Sequence, residues 1–181
     1  MDKEFETQVL EIDKDKIAEK LRELGAEETP EVMQKRWVFD IKPCTEKSQG
    51  EWVRLRQAGT NKPTITYKNK SGKGLAETSE IEIEVDDFEK AFKLLSQLGF
   101  EGKYYQENKR QKFVLEKIEF TLDTWPMIPT ILEIEAKNEN DVKKGLELLD
   151  LSGKDAGHLG MVTIYNKYEI DLHSFKELKF N

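Results

Sequence analysis

Residues 80–100 of the chain read EIEIEVDDFEKAFKLLSQLGF. The first part alternates Glu80, Glu82 and Glu84 with Ile81, Ile83 and Val85, a period of two that marks a β-strand with side chains on opposite faces. The second part changes period. Phe88, Ala91, Phe92, Leu95 and Leu98 recur at helical spacing, and Gly99 supplies a left-handed stop. The same grammar opens the chain: Glu4, Glu6 and Gln8 alternate with Phe5, Thr7 and Val9. There Asp13 is placed to cap a helix that carries Ile17, Leu21 and Leu24 on one face and stops at Gly25. A looser copy spans residues 132–151, with Glu133 and Glu135 on one strand face and Val142, Leu146 and Leu149 on its helix. Ten residues after Gly25 comes Lys35-Arg36, and ten residues after Gly99 comes Lys109-Arg110. That shared spacing points to an internal duplication of a strand–helix–strand unit.

Further strands are predicted at RWVFDI (36–41), EWVRLRQ (51–57), PTITYKNK (63–70) and IEFTLDT (118–124). Loops such as KPCTEKSQG (42–50) and NKSGKG (69–74) separate them. Gly72-Lys73-Gly74 lacks the spacing of a phosphate-binding P-loop. About eight strands and about three helices, with no linker between them, predict one α+β domain over residues 1–181, dominated by antiparallel sheet curled into a barrel.

The 181 residues are enough to bury a sizeable core, and 36% charged against 37% hydrophobic residues excludes a disordered chain. A formal charge of −7 argues against general nucleic-acid affinity. The one cysteine, Cys44, permits no intrachain disulfide and is read as a plain thiol. No apolar run of signal-peptide type opens the sequence, and no stretch reaches the ~18 apolar residues of a membrane span. A reduced, cytoplasmic protein with no membrane partner is the expectation.

The charges separate by strand. One face of EWVRLRQ carries Trp52, Arg54 and Arg56, and one face of TITYKNK carries Thr64, Thr66, Lys68 and Lys70. One face of EFTLD carries Glu119, Thr121 and Asp123. A wet sheet face that only solubilises usually intersperses the two signs. Carboxylates repeated at every second residue repel unless a cation offsets them, and Mg²⁺ or Mn²⁺ prefers such oxygen donors. Arg54 and Arg56 present guanidinium forks that match phosphate oxygens.

In this pattern the chain resembles the CYTH superfamily, the triphosphate tunnel metalloenzymes. EFETQ is similar to the family's Glu-x-Glu-x-Lys signature, WVRLRQ to its paired-arginine strand and ITYK to its lysine strand. EIEIEV resembles its central acidic strand, NKRQKF its basic strand, and FTLDTWPMIPTILEIEA its aspartate strand followed by Glu-x-Glu. The resemblance implies an eight-stranded antiparallel tunnel with charged faces inside, and the segment 154–181 as a closing piece at one mouth. It implies Glu4, Glu6, Glu133 and Glu135 as catalytic carboxylates and metal ligands, with Asp123 nearby, for Mg²⁺ or Mn²⁺. Arg54, Arg56, Lys68 and Arg110 become triphosphate contacts, and Glu80 and Glu82 tunnel carboxylates. Family members are often dimers, so a homodimer joins a small-molecule triphosphate (ATP or tripolyphosphate) among the expected partners.

Two positions depart from the pattern. The signature lysine is Gln8, and the first base of the Lys-x-Arg strand is Asn108. Lys109 is a neighbouring base, but a regular strand turns it away from the tunnel and only a bulge brings it in. Lys167 is a potential replacement cation, although an exposed lysine is the plainer reading. His158 and His173 have no second histidine or cysteine at ligand spacing and are read as non-catalytic. Trp37, Trp52 and Trp125 are read as packing residues, Trp52 being the one that shares the arginines' face. The expected activity is that of a class IV adenylyl cyclase, converting ATP to cyclic AMP and pyrophosphate. A triphosphatase and a non-catalytic binder of phosphorylated ligands are the alternatives.

Overall fold

The computed structural model describes residues 5–40, 51–70 and 78–181. Glu4, Cys44, the loop 42–50 and Gly72-Lys73-Gly74 lie outside the described residues. In chain order the elements are β1 (Phe5–Val9), α1 (Lys14–Glu23), β2 (Glu27–Glu28), β3 (Val32–Asp40), β4 (Glu51–Ala58), β5 (Thr64–Lys70) and β6 (Thr78–Glu84). There follow α2 (Phe88–Gln97), β7 (Glu101–Leu115), β8 (Ile118–Thr124), β9 (Ile131–Ala136), α3 (Glu139–Leu148) and α4 (Met161–Lys167). A 3-10 turn at Leu172–Ser174 and β10 (Glu177–Leu178) complete the chain.

The sheet follows the order β1-β9-β8-β7-β3-β4-β5-β6, with the two-residue strands β2 and β10 pairing β7 off this path. The eight strands on the path match the expected number, and the fold is the antiparallel α+β type expected. The expected closure is not seen: among the described residues the hydrogen-bonded path ends at β1 and β6. The chain falls into two compact units, Met1–Val32 with Lys109–Leu172, and Met33–Asn108 with His173–Asn181.

In the first unit β1 pairs β9, β9 pairs β8, and β8 pairs the second half of β7, all antiparallel. Alternation sends Val9, Leu132, Ile134, Phe120, Leu122 and Phe113 to one face, where they pack with Ile17 and Leu21 of α1 and Val142 and Leu146 of α3. Leu132, Ile134, Phe120 and Leu122 are fully buried, each contributing about 1.5–3 kcal/mol relative to exposure. The helix α3 approaches β9 closely because Gly145 faces it: a Cβ there would sit 2.8 Å from Ile134 Cγ2. In the second unit β3, β4, β5 and β6 form antiparallel pairs in sequence order. Phe39, Val53 and Leu55 bury one face of that sheet against Phe88, Ala91 and Leu95 of α2. Ile81 and Ile83 alternate as expected yet remain 66% and 56% exposed, because β6 is the last strand of the path.

The helix signals of the repeat hold. The Asp13 carboxylate accepts from Lys16 N at 3.3 Å, and that of Asp87 from Lys90 N at 2.9 Å, capping α1 and α2. Gly25 and Gly99 sit at φ +80° and +91°, the left-handed conformation at which both helices stop. The third helix is capped by Asn138, whose side chain accepts from Asp141 N at 2.9 Å. No helix among the described residues is long and apolar enough to cross a membrane.

Candidate functional site

The polar face of the first unit is built by register. Gln8 lies opposite Glu133 and Glu6 opposite Glu135 on β1 and β9. On β8, Thr121 lies opposite Glu133 and Glu119 opposite Glu135. On β7, Arg110 lies opposite Asp123 and Lys112 opposite Thr121. Period two and unbroken pairing therefore carry the acids of three strands to one side.

Glu6, Glu133 and Glu135 each offer a carboxylate oxygen within 4.8 Å of the others. The Glu133 carboxyl is held above its usual value of 4.5. Burial is the main cause, the charges of Glu6 and Asp123 add to it, and Arg110 and the Gln8 amide oppose it. Three converging carboxylates form a hard, oxygen-only donor set, which suits Mg²⁺ or Mn²⁺. The residues present thus fit the metal that the sequence implied.

Asp123 does not join this trio. Its two oxygens accept from Arg110, Nε to Oδ1 at 2.8 Å and Nη2 to Oδ2, while Glu133 Oε1 lies 3.9 Å from Nη2. The guanidinium is held strongly in its charged form: burial alone would disfavour the charge, and the bonds and charge of Asp123, with Glu133 and Glu119, outweigh it. An expected metal ligand and an expected phosphate contact are therefore partners in one bidentate fork. The pairing of Lys109 with Thr124 and of Arg110 with Asp123 is unbroken, so Lys109 lies on the opposite face of β7 from Arg110. The bulge that would have brought it round is absent from this stretch.

Gln8 is 5% exposed and bridges two parts of the unit. Its Nε2 donates to Glu133 Oε2 at 3.2 Å, and its Oε1 accepts from Leu159 N at 3.0 Å. Its backbone also pairs with the same segment, Ala156 N donating to Gln8 O at 2.7 Å and Gln8 N to Gly157 O at 3.1 Å. This segment delivers His158, whose Nδ1 lies 2.9 Å from Glu6 Oε1. Ligand-spacing rules within the sequence gave no sign of that contact, because the histidine arrives from a segment distant in sequence. Lys167 is exposed in the last turn of α4, as its plainer reading had it. His173 stacks on Tyr104, ring centroids 5.0 Å apart.

In the second unit the polar face forms three rows. Arg36, Arg56, Thr64 and Glu84 make the first; Val38, Arg54, Thr66 and Glu82 the second; Trp52, Lys68 and Glu80 lie in the third. Lys68 Nζ meets Glu80 Oε2 at 2.8 Å. Glu82 Oε2 accepts from Thr66 Oγ1 at 2.6 Å and lies 3.9 Å and 3.8 Å from the Nη2 atoms of Arg54 and Arg56. The expected bases Arg54, Arg56 and Lys68 and the expected carboxylates Glu80 and Glu82 are thus brought together. A cavity of about 360 Å³ opens beside them, lined by Arg56, Ala58, Asn61, Lys62, Thr64 and Glu84. Trp37 and Trp125 are packing residues: Trp37 lies against Phe92 and Tyr105, and Trp125 is 5% exposed. Trp52 is half-buried on the basic face.

Arg36 joins this face although it was not among the expected site residues. It lies directly opposite Arg56, and its Nη2 donates to Asn108 Oδ1 and, at 3.3 Å, to Gln34 Oε1. The signal that could have found it is the internal repeat, which aligns Arg36 with Arg110.

The chain belongs to the CYTH domain family, whose model matches residues 2–154. Members of this family are metal-dependent enzymes that act on triphosphates. No protein of curated function matches the chain. Among solved structures it is similar to the PH1012 protein of Pyrococcus horikoshii, with 24% identity, a TM-score of 0.70, and 86% of this chain and 96% of that one covered. An adenylate cyclase candidate from Vibrio parahaemolyticus is 16% identical with a TM-score of 0.75, covering 91% of this chain and 98% of that one. HpAC1 from Hippeastrum, an adenylyl cyclase candidate described as having a dominant triphosphatase activity, is 16% identical with a TM-score of 0.62 and coverages of 94% and 97%. At these identities the likeness extends to the fold.

Proposed function

We propose that this protein is a divalent-metal-dependent enzyme acting on a nucleoside triphosphate, and that its reaction is the cyclisation of ATP to cyclic AMP and pyrophosphate. The observation that carries the metal-dependent part is the convergence of Glu6, Glu133 and Glu135 within 4.8 Å. These residues, with Glu4, would hold Mg²⁺ or Mn²⁺. When bound, the metal supplies neutralisation of phosphate charge and Lewis-acid activation at phosphorus. Arg54, Arg56 and Lys68 bind phosphate oxygens, and Glu80 and Glu82 hold those bases in place until an anion arrives. Arg110, clamped by Asp123, keeps a fixed positive charge beside Glu133. In cyclisation the ribose 3′-hydroxyl attacks the α-phosphorus and pyrophosphate leaves. The chain's length and strand–helix layout, which resemble the cyclase branch, support that outcome.

The second reading is a triphosphatase, in which water attacks the terminal phosphorus and orthophosphate leaves. The likeness in fold to HpAC1, with its dominant triphosphatase activity, favours keeping it. Product analysis separates the two. The protein is incubated with ATP, tripolyphosphate or thiamine triphosphate and Mg²⁺ or Mn²⁺. Cyclic AMP with pyrophosphate supports the first reading, and orthophosphate moves the assignment to the second. Binding without turnover would make the protein a binder. As a control, Arg54→Ala with Arg56→Ala removes two charge-assisted contacts of about 1.5–3 kcal/mol each. Triphosphate binding should then fall at least about a hundredfold while the fold persists.

A further inference from the structure

The segment that carries His158 reaches the acidic trio of the first unit in two places. Residues 155–159 are tied to β1 by Thr7 Oγ1, which donates to Asp155 Oδ2 at 3.4 Å, and by the backbone bonds of Gln8 with residues 156 and 157. Leu159 N adds a bond to Gln8 Oε1 at 3.0 Å, and Nε2 of the same amide donates to Glu133 Oε2 at 3.2 Å. The second approach is direct: His158 Nδ1 lies 2.9 Å from Glu6 Oε1, hydrogen-bond distance. Two of the three converging carboxylates therefore lean on one short stretch of chain.

The two carboxylates differ in what they need. The Glu133 side chain is mostly buried, with Gln8 and Arg110 beside it. The Glu6 side chain is 35% exposed, and a long side chain at that exposure has rotamer freedom to lose before it can hold a metal. An imidazole is a stiff partner for it. His158 stands between two residues whose backbone is bonded to Gln8, Gly157 through its carbonyl and Leu159 through its amide. A neutral imidazole with its hydrogen on Nδ1 donates to Glu6 Oε1 and leaves the other oxygen of that carboxylate for a cation. Carboxylates that ligate metals are themselves commonly held by such outer partners. The convergent set among the described residues consists of carboxylates alone, so the imidazole acts on the site through Glu6.

We infer that His158 is a positioning residue of the metal site: its Nδ1–H orients the Glu6 carboxylate toward a divalent cation held with Glu133 and Glu135. This rests on the metal-dependent reading proposed above. It gives the segment 155–159 a part in metal binding, and it gives His158 a role that the spacing of histidines in the sequence did not indicate.

The test is the affinity of the full chain for Mn²⁺ alone, read by electron paramagnetic resonance of the free ion. His158→Ala should weaken binding about tenfold, the low end of the range for an outer partner of a metal ligand, because the pair is partly exposed. His158→Asn should restore it, since the asparagine amide nitrogen is attached at Cγ as Nδ1 is and keeps an N–H donor there. Unchanged affinity in His158→Ala, or an asparagine variant as weak as the alanine one, overturns the inference. Tighter binding in His158→Ala also overturns it, because His158 would then be a counter-ion that the metal displaces. Nitrogen hyperfine coupling of a directly bound imidazole in wild type, lost in His158→Ala, would make His158 a ligand and overturn the positioning role. The backbone bonds of the segment do not involve the imidazole, so exchange at the Leu159 amide should be unchanged in His158→Ala. If it quickens, His158→Phe, which keeps a ring and lacks the donor, takes its place in the same comparison with His158→Asn. Glu133→Gln separates the two levels of the argument. Loss of Mn²⁺ in Glu133→Gln with none in His158→Ala sinks the His158 assignment alone, whereas no Mn²⁺ binding by wild type, or none lost in Glu133→Gln, sinks the metal reading with it.

Discussion

Replacing Asp123 by alanine should strand a charge in the first unit. Asp123 is 5% exposed, and its carboxylate holds the Arg110 guanidinium through Nε at 2.8 Å and through Nη2. Removing one partner of a buried pair costs about 3–5 kcal/mol, because the remaining ion keeps its desolvation penalty and loses its compensation. Here the Arg110 side chain is 30% exposed and Glu133 Oε1 lies 3.9 Å away, so the lower end applies, about 3 kcal/mol. For a chain of this size each kcal/mol moves Tm by about 2–4 °C, and Asp123→Ala should lower Tm by about 6–12 °C in a thermal melt. Adding Arg110→Met should return most of the loss, because no ion is then left behind. A second readout addresses the metal. In Asp123→Asn the rise of Tm with Mn²⁺ should survive, since Glu6, Glu133 and Glu135 form the converging set, while Glu133→Gln should abolish it. A fall under 2 °C in Asp123→Ala, or an Mn²⁺ effect lost in Asp123→Asn, would refute the separation of Asp123 from the trio.

Two further outcomes follow from individual contacts. Glu82 has its carboxyl held below the usual 4.5: burial, the largest influence, pushes it up, and the Thr66 hydroxyl with the charges of Arg56 and Arg54 more than offset that. A depressed folded value contributes stability that is full above about pH 4.5 and is lost as pH falls through the lower folded value. Denaturation midpoints of wild type should therefore fall more between pH 5 and pH 3 than those of Glu82→Gln, and equal losses would contradict this account. Gln8→Lys, read from the sequence alone, ought to tighten triphosphate binding by restoring a cation. In the structure it removes the acceptor of Leu159 N. Leaving that amide unpaired costs about 1–3 kcal/mol, so hydrogen exchange at Leu159 should quicken by about five- to 150-fold, and unchanged exchange would mean that the lysine variant keeps the segment docked by other means.

The fold was legible where one strand or helix carried its own signal. The acid–apolar alternation at Glu80–Val85, the caps Asp13 and Asp87 and the stops at Gly25 and Gly99 are local features, set by pleat, side-chain reach and the steric freedom of glycine. The end of the ladder at β1 and β6 was not legible, since closure depends on how strands twist and pair over the whole sheet. Nor was the division into two units. Each unit is assembled from two separated stretches of sequence, so no linker or change of composition marks where one gives way to the other. The same reasoning explains His158: its distance to Glu6 is fixed by backbone pairing of residues 156 and 157 with Gln8, and nothing local to GHLG announces it.

The site was legible in kind and not in partnership. Alternation told which residues share a face, and it correctly grouped Glu133 with Glu135 and Arg54 with Arg56. It could not tell which acid stands against which base, because that follows from register between strands far apart in sequence. Hence the pairing of Asp123, grouped by type with the metal ligands, with Arg110 was not legible. The two departures from the family pattern show the same limit more sharply. Counted as charges, Gln8 and Asn108 are losses. In their surroundings both are buried amides with a carbonyl oxygen in use, one accepting from the backbone of Leu159 and the other from the guanidinium of Arg36. Neither bond is available to a lysine, which has three donors and no acceptor. An amide in place of a base is therefore a change of job as well as a change of charge, and the loss of a cation at one strand position has to be weighed together with the residue that the new acceptor holds.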